Sequence, residues 1–158
     1  MKQQGLISRR SIDKLLLAMG LAMTSAAPAF GASNETTAPA PAVQKVSFKN
    51  NNGITIVGNL HFPSGFKKGG KYPALVTVPP AGGAKEQTAG LYARKMAAKG
   101  FLAIAIDASF QGESGGLPRF KEDPNARVED IRGAVDYLVG LPYVDEARIG
   151  VLGICAGG

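Results

Sequence analysis

Three short runs, apolar but for Thr77, constrain this chain more than anything else in it: Ala74–Val78, Phe101–Ile106 and Ile149–Ile154. A strand with one wet face alternates apolar and polar residues, so an unbroken run marks a strand covered on both faces. Such strands need helices above and below, and the intervening sequence supplies them. From about Gln87 to Lys99, Leu91, Tyr92 and Met96 lie on a rough apolar face, and Gly100 is placed to end the helix. Asp123 is placed to cap a second helix, with Pro124 at its first position. Val128, Ile131, Val135 and Leu138 then recur at helical spacing until Pro142 stops the pattern. Strand, helix, strand, helix, strand at short intervals predicts right-handed crossovers and a parallel sheet, hence an α/β fold.

Ahead of this unit lies a stretch of period two. Val46 and Phe48 share one face, Asn50-Asn51-Asn52-Gly53 is a turn signal, and Ile54, Ile56, Leu60 and Phe62 recur at even positions. Residues 43–62 are therefore expected to form an antiparallel hairpin, with Gly58 marking a bulge. His61, the only histidine, falls on the other face of this hairpin and is expected to be an ordinary strand residue. Pro63 to Lys71 is a basic, Gly-rich surface loop.

The N-terminal segment has a different character. Ser8-Arg9-Arg10-Ser11-Ile12-Asp13-Lys14 precedes an apolar stretch, Leu15–Met23, and then the small residues Ser25, Ala26, Ala27 and Ala29. That order is the one used by export signals, and the arginine pair resembles a twin-arginine signal. The apolar stretch is shorter than the ~20 residues of a comfortable membrane span. Three segments are expected: an export signal over 1–31, a polar Pro/Ala-rich linker over 32–42, and a folded domain over 43–158. The mature chain would then be periplasmic or secreted, touching the membrane only in transit.

Charge excludes one class of partner. The formal net charge of +6 is split evenly: residues 1–31 hold four basic groups and one acidic, and the remainder holds 14 basic and 11 acidic. The remaining Lys and Arg are scattered rather than clustered, so no nucleic-acid footprint is expected. One Cys and one His allow neither an internal disulfide nor a metal cluster. Neither a phosphate-binding Gly-x-x-x-x-Gly-Lys-Ser/Thr nor a Gly-x-Gly-x-x-Gly occurs, and no cofactor is expected.

The third apolar run ends in Gly153-Ile154-Cys155-Ala156-Gly157-Gly158. A strand feeding Gly-x-Cys-x-Gly-Gly has the form of a nucleophile elbow, a sharp turn that raises one reactive side chain above a sheet. The neighbours must lack bulk for the turn to close. A thiol suits the position, since the thiolate is the attacking species and a helix N-terminus lowers thiol pKa. Against this stands the bland possibility that Cys155 is a small buried hydrophobe. Gly112-Glu113-Ser114-Gly115-Gly116 also fits Gly-x-Ser-x-Gly, but Asp107 ends the strand well before it and Pro118 follows where a helix should begin. It is expected to be a loop bordering the site.

From about Val43 to Gly158 the chain resembles the first half of an α/β-hydrolase. Its elbow is similar to that of the dienelactone hydrolase family, which uses Cys where most relatives use Ser. Asp107-Ala108-Ser109-Phe110-Gln111-Gly112-Glu113-Ser114 resembles the Asp-x-x-Gly-x-Gly-x-Ser loop of these proteins, one Gly short. Glu129-Asp130-Ile131 through Leu138, and Arg148 through Gly153, resemble the helix and strand that lead to the elbow. The resemblance implies an exported hydrolase of small-molecule carboxylic esters or lactones with Cys155 as nucleophile. The oxyanion would be held by two backbone amides. One is that of Ala156; the other comes from Pro79-Pro80-Ala81-Gly82-Gly83, where relatives often carry His-Gly-Gly. Proline has no N–H, so the donor falls to Ala81, or less readily to Gly82. Glu86 is a poor match for the Glu that bears on the family's Cys. The family's acid and His should follow the elbow, and neither does, so the chain is expected to be a fragment, truncated after its fifth strand and inactive alone. A non-catalytic exported module and, more weakly, a redox thiol are the alternatives.

Overall fold

The computed structural model describes residues 42–158; the expected export signal and residues 32–41 of the linker lie outside the described residues. Five strands form one mixed sheet: β1 (Val43–Lys49), β2 (Thr55–His61), β3 (Tyr72–Val78), β4 (Leu102–Ile106) and β5 (Val144–Gly153), in the order β1-β2-β4-β3-β5. Helix α1 (Thr88–Ala97) joins β3 to β4, and α2 (Pro124–Val139) joins β4 to β5. The β1–β2 pair is antiparallel and closes on the Asn50–Gly53 turn, with Gly53 at φ 74. β3 is parallel to both β4 and β5, as the unbroken apolar runs predict. Asp123 caps α2 by accepting from the amides of Asn125 and Ala126.

The two faces of the sheet are packed differently. On one, Ile56, Leu60, Val76, Leu102, Ile104 and Ile106 meet Ala134 and Leu138 of α2. On the other, Ala103 and Ala105 of β4 meet Ala89 and Ala93 of α1. The fully buried residues of this second layer are all alanines, with Leu75, Met96 and Ile154 partly buried against them, so Met96 keeps its expected place while the other two residues of the expected α1 face do not. Leu91 and Tyr92 are about two-fifths exposed, and the buried face is Ala89, Gly90, Ala93 and Ala97. Alanine against alanine brings the helix close to β4, and Gly90 admits the loop that leads into the helix, since a Cβ there would collide with the carbonyl oxygen of Lys85.

A similar correction applies to α2. Val128 is exposed, while Ala126, Arg127, Asp130, Gly133, Ala134 and Leu138 are buried. The first half of α2 faces loops rather than apolar core, so its inward side is polar. Asp130 accepts from Asn50 Nδ2 (2.7 Å), the Ser109 amide (2.7 Å) and Ser109 Oγ (2.6 Å). Gly58 forms no bulge, for β1 and β2 pair in unbroken register from Val43↔His61 to Lys49↔Thr55. Its missing side chain instead admits β4, since a Cβ there would lie 3.0 Å from the Ala105 carbonyl oxygen. β5 is longer than its apolar run, starting at Val144, and a register shift against β3 separates Tyr72 from Ala74. Among the described residues, no helix is long and apolar enough to cross a membrane.

Candidate active site

β5 ends at Gly153, Ile154 stays extended, and Cys155 turns sharply into the left-handed region at φ 56, followed by a single 3-10 turn over Cys155–Gly157. A positive φ at a residue with a Cβ costs of order 1–3 kcal/mol and persists only where the surroundings enforce it. Here the glycines do so. A Cβ on Gly153 would collide with Gly157 O and Gly158 Cα, and one on Gly157 would sit 2.7 Å from Val78 O. The Ile154 amide donates to Val78 O (3.2 Å), Gly157 to Ile154 O (3.0 Å) and Gly158 to Cys155 O (3.0 Å). The turn is thereby pinned to the end of β3, and Cys155 is left exposed. The thiol is not a buried hydrophobe.

The loop after β3 packs beside this turn. Its amides can be followed one by one. Pro79 and Pro80 have none. Gly82 N–H donates to Glu122 Oε1 (2.8 Å), Gly83 to Pro80 O (2.9 Å), Ala84 to Gln87 Oε1 (3.1 Å) and Lys85 to Asp107 Oδ1 (2.8 Å). Among the described residues, the Ala81 amide has no internal acceptor, and of the amides from Ala81 to Lys85 it is the one so placed. Between the two candidates that sequence leaves open, Gly82 is thus committed elsewhere. On the other side of the turn, the amides of Gly157 and Gly158 are used within it and that of Ala156 is not.

A buried charge cluster ties the loops together. Lys85, 2% exposed, bonds Asp107 Oδ2 at 2.8 Å, Glu113 Oε2 at 2.5 Å and Glu86 Oε1 at 2.9 Å. Burial alone would pull the Lys85 pKa down, but hydrogen bonds to Asp107, Glu113 and Glu86 outweigh it and raise the value. Hydrogen bonds from Lys45 and Lys85 hold Glu113 at about 2. Glu86 is engaged by Lys85 and Asn59.

The two rivals to Cys155 are both accounted for. Ser114 is buried, its Oγ accepting from the Val57 amide (2.9 Å) and donating to Asp107 O (2.7 Å), so it closes the loop. His61 is buried beneath α1 opposite Ala103, with no hydrogen bond to either ring nitrogen. Burial first, then the positive charge of Arg94, lowers its pKa. β2 lies three strands from β5, roughly 14 Å across the sheet at about 4.8 Å per strand. Among the described residues, no group of three or more His, Cys, Asp or Glu is placed to hold a metal ion.

Lys85, Glu122 and Arg127 escape a reading of hydrophobic period, because each looks like a solvated charge in sequence. Arg127 precedes the apolar stripe of α2, yet it is buried and donates to Pro79 O (Nη1, 3.0 Å) and to Glu122 Oε2 (Nε, 3.0 Å; Nη2, 2.8 Å). The only hint is an opposite charge five residues earlier, across the helix start.

Comparison with known proteins gives a consistent result. The sequence model of the dienelactone hydrolase family matches residues 62–158. The uncharacterized protein YcjY of Escherichia coli (strain K12) is 55% identical over 115 residues, which is 72% of this chain and 38% of YcjY. A thiohydrolase of Eupenicillium brefeldianum is 32% identical over 111 residues, 70% of this chain and 34% of its own length. The crystal structure of the α/β-hydrolase GrgF from Penicillium sp. sh18 matches with a TM-score of 0.65 at 27% identity, over 72% of this chain and 38% of GrgF. The chain thus has the α/β-hydrolase fold and spans between a third and two-fifths of the length of these relatives.

Proposed function

The chain belongs to the dienelactone hydrolase family, and from that premise we propose that it carries the nucleophile of an exported hydrolase of carboxylic esters or lactones. One observation supports this most: Cys155 stands exposed at positive φ at the end of β5, in a turn that only glycines at 153 and 157 allow to close. In the proposed reaction the Cys155 thiolate attacks the substrate carbonyl carbon. The carbonyl π electrons move onto oxygen, and the amides of Ala156 and Ala81 bind that oxyanion. Its collapse expels the alkoxide, which takes up a proton, and leaves an acyl thioester on Cys155. Water then releases the carboxylic acid and restores the thiol. In a lactone the leaving oxygen stays within the product. The thiohydrolase relative supports extending the substrate class to thioesters.

The only histidine in the sequence, His61, lies too far across the sheet to serve Cys155, so full turnover is proposed for the whole protein with a base and an acid other than these residues. Export is part of the proposal and rests on the composition of residues 1–31.

Acylation tests the nucleophile without requiring turnover. Purified protein mixed with p-nitrophenyl acetate should release one p-nitrophenolate per chain and gain one acetyl group by intact mass, and Cys155→Ala should gain none. A cooperatively melting wild type that stays unacylated would sink the assignment and leave a non-catalytic module. Fractionation of cells expressing the chain should place a shortened product outside the cytoplasm, and an unshortened cytoplasmic product would overturn export.

A further inference from the structure

The Ala81 amide is flanked on both sides by atoms that one ion pair holds. Before it, the Pro79 and Pro80 carbonyl oxygens accept from Arg127 Nη1 (3.0 Å) and Nη2 (3.5 Å). After it, the Gly82 amide donates to Glu122 Oε1 (2.8 Å), which also accepts from Gln111 Nε2 (3.0 Å). Glu122 Oε2 closes the circuit by accepting from Nε (3.0 Å) and Nη2 (2.8 Å) of Arg127. We infer that Arg127 and Glu122 are positioning residues that set the Ala81 amide for the developing oxyanion. This rests on the reading of Ala81 as an oxyanion donor.

The local chemistry makes such a device necessary. A segment Pro-Pro has no N–H of its own, so its carbonyls are the only backbone handles by which it can be held. A guanidinium presents several N–H groups in a rigid fork and can reach two carbonyls and a carboxylate at once; an ammonium cannot match that geometry. Placement matters because an oxyanion donor acts only when it is already 2.7–3.1 Å from where the charge will form. The pair also couples the loop to the nucleophile. Pro79 O, held by Arg127, is one of the atoms against which Gly157 packs, a Cβ there being 2.8 Å away. One carbonyl oxygen thus meets both the pair and the turn that carries Cys155.

Two rates measured on Cys155 separate positioning from mere support. Acylation by p-nitrophenyl acetate builds an oxyanion. Alkylation by iodoacetamide displaces iodide from a saturated carbon and builds none. Arg127→Met should lower the ratio of acylation to alkylation by about tenfold or more, below the ~10²–10³-fold that follows loss of a whole donor. Arg127→Lys should lower it less. Glu122→Gln, which keeps an acceptor for Gly82 and is the gentler change should Arg127→Met misfold, should shift the ratio in the same direction. Arg132→Met, on the outer pair Arg132–Glu129 of the same helix, should leave it unchanged. A ratio that stays at the wild-type value, or two rates that fall in parallel, would overturn the positioning role while the nucleophile assignment stands. A wild type that is alkylated but not acylated would instead refute the proposed function, and the positioning role with it.

Discussion

Gly157→Ala isolates the close approach on which the turn depends. The added Cβ would lie 2.7 Å from Val78 O, 2.8 Å from Pro79 O and 3.0 Å from the Val78 carbonyl carbon, whereas ordinary contact begins near 3.4 Å. Something must therefore move by about 0.7 Å. Neither oxygen can yield cheaply. Val78 O accepts the Ile154 amide, and Pro79 O accepts Arg127. Gly157 is not among the residues at positive φ, so the penalty is one of space alone. Overpacking of this kind costs ~1–3 kcal/mol, which for a domain of this size lowers Tm by roughly 4–12 °C. Thermal melting followed by circular dichroism reads this directly. Gly82→Ala is the matched comparison: its Cβ meets nothing within 4 Å, and only φ +64 opposes it, for a cost of about 1 kcal/mol. A Gly157→Ala melt within about 2 °C of wild type would refute the packing of the turn against β3.

Three further outcomes follow from the charge cluster and its neighbours. Lys85→Met leaves Asp107 buried with only the amides of Lys85 and Glu113 for company; urea unfolding should show a loss of ~2–4 kcal/mol, at or below the range for a broken buried pair because Glu86 and Glu113 can turn to water, and a loss under about 0.5 kcal/mol would contradict the cluster. Acid should destabilise in two stages: His61 has a lowered pKa in the fold, so the unfolded chain takes up its proton first and stability falls below pH 6.5, whereas Glu113 contributes stability that is full above 4.5 and lost toward about 2. His61→Leu should remove the first stage from a pH series of melts. Ser114→Ala removes a buried hydroxyl bonded to Val57 and Asp107; it should cost ~1–3 kcal/mol and leave Cys155 acylation intact, and an acylation defect without a stability loss would revive Ser114 as a chemical group.

The backbone plan was legible in the sequence wherever a long-range rule has a local signature. Unbroken apolar runs announced β3, β4 and the end of β5, and Asp123-Pro124 announced the start of α2. Gly153 and Gly157 announced a turn with no room for a side chain. Where packing partners decide, the pattern misled. Leu91 and Tyr92 are large residues of α1 that point largely outward, because β4 offers Ala103 and Ala105 and the helix must come close enough for Ala89 and Ala93 to touch them. Gly58 reads as a bulge along its own strand, and only the neighbouring β4 shows it to be a clearance.

The sequence by itself therefore determined the order of strands and helices along the chain, the family, and the tight glycine-lined turn at the end of β5. Each of these depends on neighbours along the chain or on a motif read in one dimension. Only the tertiary structure decided that Gly82 is taken by Glu122, that Ala81 is left over, and that Arg127 and Lys85 are buried rather than solvated. A charge is tolerated inside a fold only if opposite charges and carbonyls reach it from distant segments. Lys85 finds Asp107 and Glu113 some 22 and 28 residues away, and Arg127 finds Pro79 at 48. No local pattern encodes such a meeting, because it exists only once the sheet has brought the loops to one edge.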